Sequence, residues 1–299
     1  MSNDLTKIRV ILDWTPDAKH SIIWAAEKNG LFAHEGLTIE MVPPPSKSSN
    51  SLQKIHDLEA ELAINYPHNV LLMRGDLPRL ISVGALVKKN SEGLLSIKKT
   101  EITEPAHIKG KRIGIGPSPV SRSQFEVFLT ANGLRYEDIE LKYVGFEGEE
   151  LLLAGEIDAL DAVWYAIPRT ERKGHEINFI PYTVSGVPDS PFLVFTGENG
   201  WVSSNTAALK RFFSCLKAGL SIVSGWGFAD WKSYTDTIEG RNTEEEMKIW
   251  ETTLPLIDDG DTLFRQNINE IEKLQDILFD KNLMQEKYRI GEIFSNEYI

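Results

Sequence analysis

The alternation of short apolar runs with amphipathic segments constrains the fold of this chain more than any other sequence feature. Residues 8–12 form a short run rich in β-branched side chains and end in a proline-containing turn, which is typical of a buried strand. Further strands are predicted over 37–42 and 61–65, and helices over 21–32 and 49–59. The order strand, helix, strand, helix, strand predicts a parallel sheet with helices on its faces.

A second series of the same kind follows the first. Its strands are predicted over residues 112–116, 140–144, 159–163 and 179–182, with helices over 122–131 and 148–154. Strands over 80–87 and 93–97 carry the chain out of the first series, and a strand over 191–196 brings it back. Beyond it, helices are predicted over residues 206–226, from about 243, and over 267–283.

This layout predicts an α/β chain in which the second unit is inserted into the first. The predicted lobes are residues 1–88 plus 194–299 and residues 89–193, joined by two crossings, with extra helices at the C-terminus. A ligand is expected in the cleft between them, because loops at the carboxyl ends of parallel strands converge there. The helices from Thr243 onward are expected to contribute packing, and the sequence indicates no function for them.

Charge and motif content exclude several classes of function. The chain has 44 acidic and 32 basic residues, a net charge of −12, which disfavours binding to nucleic acid or to anionic lipid. Cys215 is the only cysteine of the 299 residues, so an internal disulfide and cysteine-rich metal sites are excluded. The sequence contains no G-x-S-x-G, G-x-x-x-x-G-K-[ST] or H-E-x-x-H motif, so we predict no catalytic residue, metal or cofactor.

The first residues give two expectations for location. Residues 1–7 lack a charged head followed by an apolar run, so they do not read as a signal peptide. If Met1 is the native start, the sequence predicts a cytoplasmic protein. If the chain is a trimmed mature form, it predicts an extracytoplasmic one, in the periplasm or anchored to the membrane from outside.

Several segments together resemble a known family. Leu12–His20 (LDWTPDAKH), Ala25–Phe32 (AAEKNGLF) and Glu35–Leu37 (EGL) are similar to solute-binding proteins of ABC importers for aliphatic sulfonates, taurine, nitrate and thiamine-pyrimidine precursors. Lys109–Gly116 and Ala154–Ala159 also resemble short sequence motifs that recur in such proteins. The resemblance covers about residues 8–225. It implies the two-lobed periplasmic-binding-protein fold (type II), a small-molecule ligand, a membrane permease as partner, and a monomer.

The thiamine-pyrimidine branch of this family shares ancestry with the enzyme hydroxymethylpyrimidine phosphate synthase, and this chain departs from that enzyme. The resemblance implies a lysine four residues before a reactive histidine, to hold pyridoxal phosphate. Here His68 is present, but Ile64 stands at the lysine position, and the chain has one cysteine, Cys215, where the enzyme has a cluster. These departures oppose the alternative function, a pyrimidine-biosynthetic enzyme using His68, which the lack of an export signal in the first residues favours. The family usually has asparagine where this chain has Asp17.

Two groups of candidate ligand-binding residues lie in the first lobe. One follows the first strand and comprises Asp13, Trp14, Thr15 and His20; the other follows the third strand and comprises Tyr66 and His68. Trp14 offers a flat face for stacking a heteroaromatic ring, and Asp13 offers an acceptor for a ring amine. The alternative is that Asp13 caps the next helix and that Trp14 fills the core.

Two further groups lie in the second lobe. They comprise Ser118, Ser121 and Arg122 at a predicted helix start, and Asp161, Trp164 and Tyr165 at the end of a strand. The first group predicts an anion site for a sulfonate or nitrate, or a plain capped helix. The second predicts that Trp164 faces Trp14 across a planar ring, or packs in the core. The aromatic and acidic residues together favour an aminopyrimidine over an anion.

Overall fold

The computed structural model describes residues 5–45, 48–260 and 263–299. Most of the N-terminal segment considered above, residues 1–4, lies outside the described residues. The chain forms two compact units: Met1–Lys89, Ser190–Glu272 and Tyr288–Ile299 make the first, and Asn90–Asp189 and Lys273–Lys287 make the second. Within the described ranges, none of the helices has both the length and the apolar character needed to cross a membrane.

The described residues form ten strands and twelve α-helices. The strands are β1 (Thr6–Ile11), β2 (Leu37–Val42), β3 (Leu62–Asn65), β4 (Leu80–Val87), β5 (Glu92–Ile97), β6 (Arg112–Ile115), β7 (Glu140–Tyr143), β8 (Ala159–Val163), β9 (Ile177–Pro181) and β10 (Leu193–Glu198). The helices are α1 (Ser21–Lys28), α2 (Leu31–His34), α3 (Ser48–His56), α4 (Pro67–Leu72), α5 (Pro119–Ala131), α6 (Gly148–Ala154), α7 (Ala166–Arg172), α8 (Asn199–Ser204), α9 (Thr206–Ser224), α10 (Phe228–Thr235), α11 (Thr243–Ile257) and α12 (Ile268–Asp280).

The sheet of the first unit has the strand order β2-β1-β3-β10-β4. β1 pairs in parallel with β2 and β3, whereas β10 is antiparallel to both β3 and β4. Because of these directions, the carboxyl ends of β1, β2, β3 and β4 lie at the same edge as the first residue of β10, where Leu193 pairs with Val87. The segments that follow Ile11 and Asn65 therefore start at one edge of this sheet.

The sheet of the second unit repeats this topology in the order β7-β6-β8-β5-β9. β6 is parallel to β7 and β8, and β5 is antiparallel to β8 and β9. Glu92 at the start of β5 pairs with Val163 at the end of β8, and Gly93 pairs with Pro181 at the end of β9. One edge of this sheet thus gathers the start of β5 and the carboxyl ends of the other four strands.

The contact between α1 and α9 depends on a glycine. A Cβ on Gly219 of α9 would lie 2.4 Å from the carbonyl oxygen of Ile22 on α1. We expect Gly219→Ala to lower the free energy of unfolding by about 1–2 kcal/mol, because overpacking outweighs the gain in helix propensity. Urea denaturation measures this, and Ser221→Ala on the exposed face of the same helix is the control. Equal stability of the two variants would contradict a close helix contact at Gly219.

The structure bears out the predicted strands and adds short helices. Each predicted strand is present, with ends that differ by at most two residues. The segment expected as one helix over 21–32 is two helices, because Gly30 takes a left-handed φ of 70° between α1 and α2. The sequence reading missed α4, α7, α8 and α10, which have eight residues or fewer and give little periodicity.

The division into units differs from the sequence-based lobes near the C-terminus. The prediction assigned all of 194–299 to the first lobe, whereas Lys273–Lys287 belongs to the second unit, and its boundary falls inside α12. The side chain of Lys281 lies 2.8 Å from that of Glu126 on α5, which links this segment to the second unit. Sequence periodicity identifies a helix but not the unit on which it packs.

Candidate functional site

The loop after β1 presents an aromatic side chain above a buried ionic network. Trp14 is 49% exposed and Thr15 is also exposed, as expected for residues that can meet a ligand. Asp13 behaves differently, because its carboxylate is almost fully covered and lies 3.3 Å from Lys19 Nζ and 3.0 Å from His20 Nε2. Of the residues predicted in this loop, Trp14 and Thr15 are the accessible ones.

Two acids and two bases form the network. Lys19 Nζ lies 2.5 Å from Asp17 Oδ2, and the His20 ring nitrogens lie 3.0 Å and 3.1 Å from oxygens of Asp13 and Asp17. His20 is fully buried with both ring nitrogens engaged, so the structure does not support the expected direct contact of His20 with a ligand. Its role is to hold the loop that carries Trp14.

Ionisation of this network follows from its geometry. Burial opposes a charge on Asp17, but Lys19 and His20 outweigh it and hold the pKa of the Asp17 carboxyl well below its usual range. Burial and Lys19 lower the pKa of His20, yet Asp17 and Asp13 outweigh them and raise it. The raised pKa of His20 favours a protonated ring that donates to both carboxylates. That contribution to stability is lost as the pH rises through the raised pKa of His20.

Residues of the C-terminal helices anchor the same loop. Tyr234 donates its hydroxyl hydrogen to the carbonyl oxygen of Asp17 at 2.7 Å, and Glu246 accepts from the amide of Ala18 at 2.6 Å. Arg241 donates to Glu246 at 3.1 Å and to the carbonyl oxygens of residues 15 and 16 at 3.1 and 2.8 Å. The C-terminal region therefore positions the Trp14 loop, a role that the sequence did not indicate.

The loop after β3 carries stacked aromatic rings. Tyr66 stacks on His68 with ring centroids 5.2 Å apart, and the rings of Tyr66 and Phe192 are perpendicular with centroids 5.3 Å apart. Asn65 fixes this turn, since its side-chain oxygen accepts from the amides of Tyr66 and Asn69 at 2.8 and 2.9 Å. Burial lowers the pKa of His68 to about 4, so His68 is neutral near pH 7. Tyr66 and His68, each predicted to contact a ligand, stack on one another, and Phe192 is a neighbour that the sequence did not indicate.

The second unit holds two partly buried carboxyl groups at its strand-end edge. Asp161 on β8 accepts from the hydroxyl of Tyr182 at 2.8 Å and from the amide of Gly116. Glu92 on β5 accepts a hydrogen bond from the side chain of Gln124 on α5. Asp161 is paired with Leu94, two residues from Glu92, so both carboxyl groups point to the face that α5 covers.

These carboxyl groups differ in ionisation. Burial, and then the charge of Asp161, raise the pKa of Glu92 to about 8, against the effect of Gln124. Burial raises the pKa of Asp161 to about 6, opposed by the hydrogen bonds from Tyr182 and Gly116. At neutral pH Asp161 is therefore mostly ionised and Glu92 mostly protonated, so the pair presents one negative charge and one acidic hydrogen.

Trp164 and Tyr165, also predicted to bind the ligand, contact other side chains of the second unit. Trp164 is only 4% exposed and its ring meets Tyr165 edge to face at 5.3 Å, so the expected open stacking face of Trp164 is not found. Tyr165 is half-buried, with the Arg169 guanidinium 4.7 Å from its ring centroid. The low exposure of Trp164 agrees with the alternative interpretation, in which its ring lies in the core.

The predicted anion loop is a capped helix start. The hydroxyl of Ser118 accepts from the amide of Val120 at 3.3 Å, as an N-cap of α5 does. The guanidinium of Arg122 lies 5.5 Å from the ring centroid of Tyr143, and Ser121 is half-buried on the first turn. The hydrogen bond of Ser118 agrees with the alternative interpretation, in which Ser118 only caps the helix. The guanidinium of Arg122 packs against an aromatic ring.

Sequence reasoning missed Glu92, Gln124, Tyr182 and Phe146. Glu92 was overlooked because β5 runs antiparallel, so its start and not its end lies at the strand-end edge. Gln124 lies in a predicted helix with nothing to distinguish it from a core neighbour. Phe146 is 93% exposed just after β7, and an aromatic after a strand end could have been noticed. Tyr182 was predicted as the last residue of a strand and not as a residue of the site.

Comparisons with known proteins agree on the fold and on a family. A family model described as NMT1/THI5 like matches residues 17–224. The formylaminopyrimidine-binding protein of Halalkalibacterium halodurans is 28% identical over 218 residues, which are 72% of this chain and 66%, just under two thirds, of that protein. The 4-amino-5-hydroxymethyl-2-methylpyrimidine phosphate synthase of Aspergillus parasiticus is 22% identical over 263 residues, 84% of this chain and 76% of the enzyme.

Among solved structures, the periplasmic aliphatic sulphonate binding protein SsuA of Escherichia coli superposes with a TM-score of 0.77 at 14% identity. The match covers 96% of this chain and 97% of SsuA. This likeness confirms the α/β fold of periplasmic binding proteins that the sequence predicts.

Proposed function

Because the chain belongs to the NMT1/THI5-like family, we propose that it is the solute-binding protein of an ABC importer and captures a small planar aminopyrimidine. The observation that carries the proposal is the pair of carboxyl groups, Glu92 and Asp161, at the strand-end edge of the second unit. Trp14, exposed at the strand-end edge of the first unit, supplies a ring for stacking. The formylaminopyrimidine-binding relative supports the same ligand class.

Charge favours this class over a sulfonate or nitrate. The negative charge of Asp161, beside Glu92, repels an anion. Ser118 and Arg122, which were predicted to attract an anion, contact the amide of Val120 and the ring of Tyr143 instead. An aminopyrimidine instead offers N–H donors and a ring nitrogen acceptor, which match carboxyl groups. The chain therefore selects a neutral or cationic heterocycle.

The enzyme alternative is weakened by the residue at position 64. Ile64 lies fully buried in β3 and carries no amine that could form a Schiff base with pyridoxal phosphate. Cys215 is buried within α9, and burial raises the pKa of its thiol to about 11, so it is a poor nucleophile. We therefore infer a binding protein that leaves its ligand unchanged and acts as a monomer. Its place is outside the cytoplasmic membrane, where a permease accepts the ligand.

A thermal-shift panel tests the proposal. Protein unfolded and refolded to remove bound ligand is mixed separately with 4-amino-2-methylpyrimidine, its formylated aminomethyl derivative, taurine, an alkanesulfonate and nitrate. We expect the aminopyrimidines to raise the melting temperature and the anions to leave it unchanged, since a ligand stabilises only the folded state that binds it. Stabilisation by the anions alone would overturn the ligand class, and appearance of Schiff-base absorbance with pyridoxal phosphate would favour the enzyme.

A further inference from the structure

The surroundings of Glu92 contain a buried acceptor without a partner. Gln124 is 4% exposed and its side chain hydrogen-bonds Glu92, yet its Oε1 atom has no hydrogen-bond partner. Leaving a buried amide oxygen unpaired is unfavourable, because the oxygen has lost its water, so such groups normally have a partner. At the strand-end edge of the second unit, an N–H donor from a ligand can provide it.

We propose that Glu92, Gln124 and Asp161 form the subsite that recognises the amino-substituted edge of a heteroaromatic ring. This inference rests on the proposed function and specifies which side chains recognise the ligand. The Glu92 hydroxyl donates to a ring nitrogen, and its carbonyl oxygen accepts from the adjacent exocyclic amine. The Oε1 atom of Gln124 accepts the second amine hydrogen, so every polar atom of this edge has a partner.

Asp161 is a positioning residue in this subsite. It accepts from Tyr182 and Gly116, and so it stays in place without the ligand. The titratable groups that face Glu92 are Asp161 on β8 and Tyr182 after β9, while Gln124 on α5 is uncharged. The negative charge of Asp161 opposes ionisation of Glu92 and so preserves the hydrogen that the ring nitrogen needs.

The pH dependence of the affinity for an aminopyrimidine distinguishes a Glu92 that donates a hydrogen bond to the ligand from a Glu92 that only supports the structure. The probe is 4-amino-2-methylpyrimidine, whose own titration is measured without protein, and binding is followed by calorimetry from pH 7 to 9.5. Since burial and Asp161 raise the pKa of Glu92 to about 8, wild-type affinity should be level near pH 7 and fall about tenfold per pH unit above 8. Glu92→Gln keeps a donor and an acceptor in the same shape, so its affinity should stay within about threefold of the pH 7 value throughout.

Glu92→Met removes both hydrogen bonds and is expected to weaken binding by about 10- to 100-fold at every pH, as the loss of one or two such bonds implies. Melting temperatures of the unliganded variants show that each is folded. A wild-type affinity that stays flat to pH 9.5, or equal binding by the Met and Gln variants, would overturn the subsite. Failure of the wild-type protein to bind any aminopyrimidine would instead overturn the proposed function.

A ligand-free measurement tests the neutral acid separately. A raised folded-state pKa means that Glu92 lowers stability as the pH rises toward that pKa, so Glu92→Gln should gain stability relative to wild type between pH 5 and 9. The gain is read from urea unfolding at each pH. A difference that does not change with pH would contradict a protonated Glu92.

Discussion

Replacing Lys19 with methionine is expected to lower the free energy of unfolding by about 3–5 kcal/mol, because removing one partner of a buried ion pair leaves the other charge uncompensated. Lys19 is 3% exposed and lies against the carboxylates of Asp13 and Asp17. Methionine fills similar space but removes the positive charge, so two buried carboxylates keep only His20 as a cation. The free energy is measured by urea unfolding at pH 7.

Urea unfolding at acidic pH shows how the stability loss of Lys19→Met depends on the ionisation of Asp17. Asp17 has a pKa held below its usual range in the folded state, so the network contributes stability above the unfolded pKa, near 4, and loses it as the pH falls further. The deficit of Lys19→Met should therefore shrink below about pH 4. Lys232→Met breaks an exposed pair with Asp236 and serves as the control, with an expected cost of about 0.3–0.5 kcal/mol. Equal losses for the two variants would contradict the network.

Trp14→Ala is expected to weaken aminopyrimidine binding by about 10- to 100-fold, because stacking of one base on an aromatic side chain contributes about 1–3 kcal/mol. Trp14 is exposed, so this change should leave the unfolding free energy within about 0.5 kcal/mol of wild type. Calorimetric titration measures the affinity, and Trp14→Phe should retain part of it.

Phe228→Ala is the matched control for the Trp14 variant. Phe228 is a similarly exposed aromatic side chain, 52% against 49%, but it lies at the start of α10 and not after a strand end. Its removal should leave affinity within about twofold. If Trp14→Ala binds as tightly as wild type, stacking on Trp14 is not part of recognition.

The sequence predicts the sheet strands well because their signal is local. Short β-branched runs bounded by turns identify a strand wherever it lies, as at Ile8–Leu12 and Leu37–Val42. The place of α12 in the second unit was not predictable, since the Lys281–Glu126 pair joins residues far apart in the chain.

The candidate site was predictable only where its residues follow a parallel strand. Trp14 and Tyr66 were found by this rule and follow β1 and β3, whereas Asp161 was found near the end of a predicted strand and lies within β8. Glu92 escapes the rule because its strand is antiparallel. The buried surroundings of His20 and Trp164 depend on tertiary contacts that composition and spacing do not encode.

We expect the chain to hold an aminopyrimidine without changing it. The test is equilibrium dialysis of the refolded protein against an equal mixture of 4-amino-2-methylpyrimidine, taurine and nitrate, followed by mass spectrometry and ion chromatography of the retained solutes. One aminopyrimidine per chain should be retained and recovered with its original mass. Retention of taurine or nitrate in its place, or recovery of a chemically altered pyrimidine, would contradict it.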